Sequence, residues 1–277
     1  MRLSSLSHLV LDEFDALLQY KAHREPTGAI VWAARRQKRD SLQSILCSAT
    51  AADMLPENLL RDEYIRQNYT IATTEDTNAL VTSDKIKVSL TTIHGIVHVA
   101  HRRFALETLR RILNTRPNPQ QVLIFVDDAR RADIVVDKLA DMGIIAASLH
   151  GGSGSDKGER TDVNRALREG YVGIVVATEM AARGIDAPYL THVINLDLPT
   201  DASHYAHRSG RCGRGGRPGV VINFTTSAQE RKVPKRFGNA LGLEMFAVDP
   251  QQGLLKIVDE SSALVAADNS NKVKNVK

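Results

Sequence analysis

Residues 122–126 read VLIFV, which is the length of one β-strand and contains no polar residue. Residues 129–142 follow with apolar side chains three or four positions apart, a spacing that predicts a helix stopping at Gly143. Strands that are apolar throughout are typical of parallel sheets whose two faces are both covered by helices. The stretch therefore predicts a buried strand of an α/β fold.

The same alternation of apolar runs and helical patterns continues along the chain. Further strands are predicted at residues 144–149, 172–177, 192–196 and 220–224, and a helix at residues 159–169. We therefore expect one parallel sheet with helices on both faces, within residues 91–258. Ligands of such sheets bind at the carboxyl ends of the strands, so functional residues are expected there.

Residues 1–75 carry three more strand patterns, which predict part of a second parallel sheet. These patterns lie at residues 8–11, 44–47 and about 64–71. The polar stretch 76–90 is the predicted linker. Residues 259–277 are small and polar, and we expect a disordered tail there.

The composition narrows the class of protein. Of the 277 residues, 43% are apolar and 25% are charged, as in ordinary globular domains, and the net charge of +4 is compatible with a polyanionic partner. Cys47 and Cys212 are too few for a disulfide framework, so a reducing, intracellular compartment is expected. No run of 18 apolar residues occurs, so no membrane span is expected.

Two segments near the N-terminus carry groups suited to nucleotide chemistry. Asp12–Asp15 (DEFD) follows the first strand, where a carboxylate can hold Mg²⁺ beside phosphates. Ser48–Thr50 (SAT) follows the second strand, and its hydroxyls can hydrogen-bond a neighbouring carboxylate. Taken alone, an acidic tetrapeptide is more often a solvated turn, and a Ser-Ala-Thr tripeptide is more often a helix cap or turn.

Two later segments also follow predicted strands. In residues 177–186 (ATEMAARGID), Gly184 permits a close backbone approach and Asp186 can accept from a ribose hydroxyl, although a routine strand-to-helix loop has the same pattern. In residues 207–217 (HRSGRCGRGGR), an arginine recurs at every third position. Such arginines stabilise charge on a transferring phosphoryl group, or they belong to a flexible segment that contacts nucleic-acid backbone.

Together and in this order, the four segments resemble the motifs of DEAD-box ATP-dependent RNA helicases. DEFD resembles the DEAD motif, SAT the coupling motif, ATEMAARGID the fifth motif and HRSGRCGR the sixth. VLIFVDD is similar to the strand of the fourth motif, and LHGG at residues 149–152 to the start of the motif after it. The resemblance implies a complete RecA-like domain at residues 91–258, preceded in residues 1–75 by the C-terminal remnant of another.

The resemblance also implies a role for each motif residue. In the family, two RecA-like domains close over ATP and RNA. The nucleotide residues would be Asp12 and Glu13 for Mg²⁺ and water, Arg211 and Arg214 for the phosphates, and Asp186 with Gly184 for the ribose. Asp15, Ser48 and Thr50 would couple nucleotide state to closure, braced by His207 and Arg208. Gly151, Thr178 and Arg183 would contact RNA without reading its sequence.

The sequence departs from the family in three ways. Phe14 replaces the usual alanine, so its ring requires local repacking, and Glu179 stands where aspartate is common. The 277 residues contain no G-x-x-x-x-G-K-[ST] phosphate loop. Family topology places that loop before Met1, so we expect a truncated helicase whose isolated chain has little or no ATPase activity.

Three alternatives stay open. The chain can be a non-catalytic RNA- or protein-binding module, with an unknown protein partner, that kept the fold and lost turnover. It can be a DNA helicase relative, although the SAT and HRSGRCGR forms favour RNA. His94, His98 and His101 can suggest a metal site, but the alternation of residues 93–99 favours a strand.

Overall fold

The computed structural model describes residues 6–19, 21–37, 42–48, 64, 70, 91–151, 156–185 and 187–258. The chain falls into two compact units, which divide between Ile86 and Lys87. No helix in these ranges is long and apolar enough to cross a membrane.

The first unit contains a two-stranded parallel sheet. Its strands are β1 (His8–Leu11) and β2 (Gln43–Leu46), and its helices are α1 (Phe14–Gln19) and α2 (Lys21–Gln37). Both predicted strands are confirmed to within one residue. The third predicted strand, at residues 64–71, lies outside the described residues except at positions 64 and 70.

Phe14 is part of the small core of the first unit. Its ring is 2% exposed and packs in a cluster with Leu11, Val31 and Tyr64. The bulky substitution in the DEFD segment is therefore accommodated by apolar neighbours from two secondary-structure elements and a further buried tyrosine.

The second unit is built around an eight-stranded sheet. The strands are β3 (Thr92–His98), β4 (Gln121–Val126), β5 (Ala147–Leu149), β6 (Ile174–Thr178), β7 (Leu190–Asn195), β8 (Gly219–Thr225), β9 (Met245–Gln251) and β10 (Leu254–Ile257). Their order is β10-β9-β3-β8-β7-β4-β6-β5, and every pair is parallel except β9 with β10. All six residues of β4 are buried, which confirms the prediction from VLIFV.

The helices of the second unit are α3 (Ala105–Leu113), α4 (Ala129–Asp141), α5 (Asp156–Glu169), α6 (Glu179–Ala182), α7 (Ala202–Ser209) and α8 (Ala228–Leu241). Short 3₁₀ turns occupy Arg102–Phe104 and Arg214–Gly216. Asp128, Asp201 and Ser227 cap α4, α7 and α8 through side-chain oxygens that accept backbone N–H groups.

The two faces of the large sheet differ in chemistry. Helices α3 and α4 pack on one face through apolar side chains, among them Leu109, Ile112, Val135 and Leu139. Tyr205 of α7 and Phe237 of α8 lie on the other face, with ring centroids 5.6 Å apart. The predicted parallel sheet with helices on both faces is confirmed.

The edges of the sheet differ from the prediction. Strand β5 begins at Ala147 rather than at residue 144, because Ile145 lies outside the ladder and is 92% exposed. The β9–β10 hairpin was not predicted, since Asp249, Pro250 and Gln251 interrupt its apolar pattern. An antiparallel edge hairpin needs only one buried face, so its sequence signal is weak.

The apolar face of the sheet makes a testable prediction. Leu139→Ala removes a fully buried side chain of α4 and is expected to lower the free energy of unfolding by about 3 kcal/mol. Ile134→Ala on the same helix removes a side chain that is 48% exposed and is expected to cost less than about 1 kcal/mol. Urea denaturation followed by far-UV circular dichroism measures both, and equal losses would contradict this packing.

Candidate functional site

Functional residues of the second unit gather at the carboxyl edge of its sheet. Strands β4, β6 and β7 are neighbours and run in the same direction, with Val126 paired to Thr178 and Phe125 paired to Asn195. The segments that leave these strands therefore start side by side, although they are far apart in the sequence.

Arg208 of α7 lies buried beneath this edge. It is 5% exposed, and its Nε atom donates to Oε2 of Glu179 at 2.8 Å. Its Nη1 atom donates to the carbonyl oxygen of Asp197 at 2.9 Å and to Oδ1 of Asn195 at 3.3 Å. The guanidinium carbon lies 4.9 Å from the centroid of the Phe125 ring. Since a guanidinium is charged at all ordinary pH values, these contacts are what make its burial tolerable.

Glu179 holds α7 at two points. One carboxylate oxygen accepts from Arg208, and the other accepts from Nδ1 of His204. His204 and Arg208 are four residues apart on α7, so both face the same carboxylate. The Nε2 atom of His204 lies 3.7 Å from Oδ2 of Asp201, which caps the helix. At position 179, where aspartate is common in the family, the glutamate side chain thus has two partners on α7, Arg208 and His204.

Hydrogen bonds continue from this cluster across the sheet. Asn195 donates to Oδ1 of Asn223 at 2.8 Å. Nδ2 of Asn223 lies 3.5 Å from the hydroxyl of Tyr205, and that hydroxyl lies 2.7 Å from Nδ1 of His94. These four side chains come from β7, β8, α7 and β3. One face of the sheet therefore carries a polar chain that runs from strand β3 across β8 and β7 to the buried arginine.

His94 is neutral in this chain. Burial lowers the pKa of His94 from 6.5 to about 4. In the unfolded chain the ring takes up a proton near pH 6.5, whereas the folded protein resists it until about pH 4. The stability that depends on neutral His94 is present above pH 6.5 and is lost as the pH falls through that window.

The three histidines near β3 have separate roles. His94 bonds to Tyr205, His98 lies with Nδ1 3.3 Å from Oγ1 of Thr225, and His101 accepts from the backbone of Arg103 at 3.1 Å. The predicted strand through residues 93–99 is confirmed by β3. Among the described residues, no three potential metal ligands meet.

The arginine-rich segment follows α7 directly. Arg211 is half-buried, and exposed Arg214 donates from Nε to the carbonyl oxygen of Gly210 at 2.9 Å. The loop lies tightly against the start of β8, where a Cβ atom on Gly219 would be 2.8 Å from the backbone nitrogen of Gly213. Only glycine at position 219 allows this approach, so the position of both arginines depends on it.

Cys212 lies beneath the same loop. It is a free, buried cysteine, and burial raises the pKa of its thiol to about 12. The thiol therefore stays protonated at neutral pH and packs as a small apolar group. Its role in the segment is structural.

The fifth-motif segment is described except at one position. Thr178 ends β6 at the N-cap of the short helix α6, and half-buried Arg183 follows that helix. Gly184 has φ +71°, a conformation that favours glycine. Asp186 lies outside the described residues. Gly151 is exposed after β5, and residues 152–155 of its loop also lie outside them.

The first unit brings the DEFD and SAT segments together. The backbone nitrogen of Cys47 donates to the carbonyl oxygen of Leu11 at 2.8 Å, and the backbone nitrogen of Phe14 donates to that of Cys47 at 3.1 Å. The exits of β1 and β2 are thus hydrogen-bonded to each other. The expectation that the segments stand at strand exits is confirmed for DEFD and for Ser48, while the other two residues of SAT lie outside the described residues.

The predicted residues of the first unit share this exit. Asp12 is exposed, and its Oδ1 atom accepts from the backbone nitrogen of Glu13 at 3.0 Å. Glu13 has φ +48°, which is uncommon for a residue with a side chain. Asp15 is half-buried in α1, Ser48 follows β2, and Thr50 lies outside the described residues.

Sequence reasoning missed the residues that hold Arg208 in place. These are Asn195, Asp197, His204, Tyr205 and Asn223. The spacing of His204 and Arg208 on one helix was the single available signal, since an i, i+4 pair faces a common partner. The two asparagines stand within apolar strands and had no such pattern.

The buried ion pair makes a testable prediction. Glu179→Gln leaves the Arg208 guanidinium buried without a counter-charge, and it is expected to destabilise the protein by about 3 kcal/mol. Asp162→Asn breaks an exposed pair with Arg165 and is expected to change stability by less than about 0.5 kcal/mol. Urea denaturation compares the two variants, and a neutral Glu179→Gln would contradict the anchoring role.

Comparison with known proteins places this geometry in a family. A family model described as the helicase conserved C-terminal domain matches residues 104–216. The DEAD-box ATP-dependent RNA helicase CshC of Bacillus cereus is 32% identical over 243 residues, 88% of this chain and 57% of CshC. Eukaryotic initiation factor 4A-3 of Arabidopsis thaliana is 38% identical over 160 residues, 56% of this chain and 38% of that protein.

A solved structure shares the fold of most of the chain. A single-site variant of S. cerevisiae Dbp5, bound to RNA and ADP BeF3, aligns with a TM-score of 0.76 and 25% identity. The alignment covers 96% of this chain and 64% of that one. The chain spans about half the length of the curated relatives it matches. With its mostly parallel RecA-like sheet and the motif segments at the strand exits, the chain belongs to the DEAD-box RNA helicase family.

Proposed function

We propose that the chain supplies ATP- and RNA-binding surfaces of an RNA-stimulated ATPase that unwinds RNA duplexes or remodels RNA–protein complexes. The observation that carries this proposal is the anchoring of α7. Buried Arg208 fixes the end of the helix, and Arg211 and Arg214 follow directly from it. A fixed helix end reduces the freedom of guanidinium groups that must meet a phosphate in one geometry.

In this proposal, the residues for the nucleotide are those whose motifs resemble the nucleotide motifs of the family. Asp12 and Glu13 follow β1 as adjacent carboxylates, and oxygen ligands of this kind suit Mg²⁺ bound through ATP phosphates. When bound, Mg²⁺ neutralises charge that develops on the phosphates. In this proposal Asp15, Ser48 and Thr50 couple the state of the bound nucleotide to domain closure. Gly184 and Asp186 contact the ribose of ATP.

The residues for RNA stand at the carboxyl edge of the large sheet. Gly151 comes shortly after β5, Thr178 is the last residue of β6, and Arg183 follows α6; in this proposal all three contact the RNA backbone. Contacts to phosphate and sugar groups read no base edge. The proposal therefore includes RNA binding that does not depend on sequence.

A second candidate is a non-catalytic RNA-binding module. The observation in its favour is that the 277 residues contain no G-x-x-x-x-G-K-[ST] sequence. That loop supplies the backbone amides and the lysine that hold the phosphates of ATP in such enzymes. The RNA-stimulated ATPase proposed above therefore requires a phosphate loop that these 277 residues do not supply.

An assay of ATP hydrolysis tests whether the isolated chain is itself catalytic or only supplies surfaces that bind ATP and RNA. We expect the wild-type chain and Arg211→Ala to hydrolyse ATP at the same background rate, with and without single-stranded RNA, because neither has a phosphate loop. A coupled assay of ADP release measures this. RNA-stimulated hydrolysis that Arg211→Ala abolishes would contradict the expectation and establish catalysis by the chain alone.

RNA binding tests the proposed surface directly. Arg183→Gln is expected to weaken binding several-fold and to reduce the slope of log Kd against log salt concentration by about 0.7, as for loss of one phosphate contact to a single strand. Arg165→Gln on α5 makes the same charge change at an exposed ion pair and is expected to leave the slope unchanged. Fluorescence anisotropy at several salt concentrations measures the affinity and the slope. Equal slopes for the wild type, Arg183→Gln and Arg165→Gln would show that Arg183 does not contact the RNA.

A further inference from the structure

Strand β10 forms an edge of the large sheet, because it stands at the end of the strand order and β9 is its only neighbour among the described strands. It follows β9 through the turn residues Gln252 and Gly253, whose φ angles of +50° and +74° are typical of tight hairpins. The backbone nitrogen of Arg116 donates to the carbonyl oxygen of Gly253 at 2.7 Å and ties the turn to the segment after α3. The edge is therefore held in a fixed position.

The backbone groups of Leu255 and Ile257 point away from the sheet. In an antiparallel pair, successive residues alternate between bonding to the partner strand and pointing away from it. The backbone nitrogen of Val258 donates to the carbonyl oxygen of Ala247 at 2.9 Å, so the residues an odd number of positions before Val258 point outward. Leu255 fits this alternation, since it lies opposite Pro250, which has no N–H group to exchange. The open edge thus presents the N–H and carbonyl groups of both residues.

The side chains of β10 divide between the two faces of the sheet, as in any strand. Ile257 lies opposite buried Val248 and on the same face as Leu255, which packs against the apolar core. Ile257 is nevertheless 61% exposed. The apolar face of the sheet therefore continues to its open edge, where an apolar side chain of a further strand would cover it.

Lys256 lies on the opposite face of β10. It stands across from Asp249 on β9, but the carboxylate of Asp249 accepts from Nε2 of Gln251 at 2.8 Å. Within the described part of the chain, the Lys256 ammonium has no ion pair or hydrogen bond. A strand beside β10 would therefore gain from a carboxylate placed opposite Lys256.

A second copy of the chain is a poor occupant of this edge. Two β10 strands related by a twofold axis use all their outward groups in one register, in which Leu255 of each copy pairs with Ile257 of the other. That register places the two Lys256 side chains directly opposite each other, and like charges in this position destabilise the pairing. The charge therefore selects against self-association and favours an acidic partner.

We propose that the outer edge of β10 binds an extended segment of another protein as an additional antiparallel strand. The segment carries an acidic residue opposite Lys256 and apolar residues opposite Leu255 and Ile257. Main-chain hydrogen bonds to Leu255 and Ile257 supply the pairing, and the alternating side chains supply the selectivity. Strands β9 and β10 carry no motif residue, so this inference is independent of the proposed function.

The test uses the isotope-labelled full chain and two synthetic peptides, STVEVTS and STVQVTS, which differ only in the central residue. NMR titration gives the affinity for each peptide, and hydrogen exchange gives the protection of individual amides. STVEVTS is expected to shift the resonances of β10 and to slow exchange at the amides of Leu255 and Ile257. The wild-type chain is expected to bind it about threefold more tightly than STVQVTS, the effect of one opposite-charge pair across two strands.

Three variants make the test specific. Ile257→Pro removes an outward N–H group, leaves the hydrogen bonds to β9 in place, and is expected to abolish binding. Ile257→Val keeps that N–H group and an apolar side chain, and it is expected to bind STVEVTS as the wild type does. Lys256→Gln is expected to bind the two peptides equally, because it has no charge to pair with the glutamate.

Several results would overturn the proposal. If millimolar peptide shifts no resonance of β10, the edge binds no such segment. Binding of STVEVTS by Ile257→Pro at wild-type strength would place the peptide elsewhere, and equal affinity of the wild type for both peptides would remove the role of Lys256. If protection of Leu255 and Ile257 rises with protein concentration alone, a second copy is the occupant.

Discussion

A guanidinium buried in a protein interior must have its charge and its hydrogen-bond donors satisfied, and Arg208 imposes this requirement on the second unit. Its partners come from the exits of two strands: Glu179 after β6, and Asn195 with the Asp197 carbonyl at the end of β7. Removing Glu179 would leave an uncompensated charge in a region of low dielectric, and removing either other partner would leave a donor of the guanidinium without an acceptor. The exits of β6 and β7 and the helix α7 are therefore held in one arrangement by a single side chain.

The difference between the two faces of the sheet follows from that arrangement. Helices α3 and α4 bury mainly apolar groups, so their face contributes stability through packing and tolerates apolar exchange of similar volume. The opposite face carries Asn195, Asn223, Tyr205 and His94 in a chain of hydrogen bonds. Such a network has few alternative arrangements, because each member needs its partner. It fixes the geometry of α7, whereas the apolar face supplies most of the packing.

The carboxyl edge combines acids and arginines in close alternation. Glu179, Asp197 and Glu230 engage Arg208, Arg131 and Arg102 in separate pairs. The pairs reduce the positive potential that three arginines would otherwise present at this edge. A net charge of only +4 for the whole chain agrees with this design.

The sequence by itself determined most strands of the large sheet and the segments that stand at their exits, but not the β9–β10 hairpin. VLIFV, for example, has no polar face, which is typical of a fully buried strand, and β4 is buried throughout. DEFD and SAT were placed at strand exits by the apolar runs before them, and β1 and β2 end there. The local sequence is enough to predict these elements, because the spacing of apolar residues within one segment indicates both its secondary structure and its burial.

Only the tertiary structure decided which polar side chains meet. Glu179 and His204 are 25 residues apart, and Asn223 lies 28 residues from Asn195. Their contacts depend on the order β8-β7-β4-β6, which no local pattern encodes. The position of Val126 beside Thr178 has the same origin, since a parallel sheet brings strand exits together whatever their separation in the chain. The residue types in the sequence therefore indicated the chemistry of this protein, whereas the order of the strands decided which side chains meet.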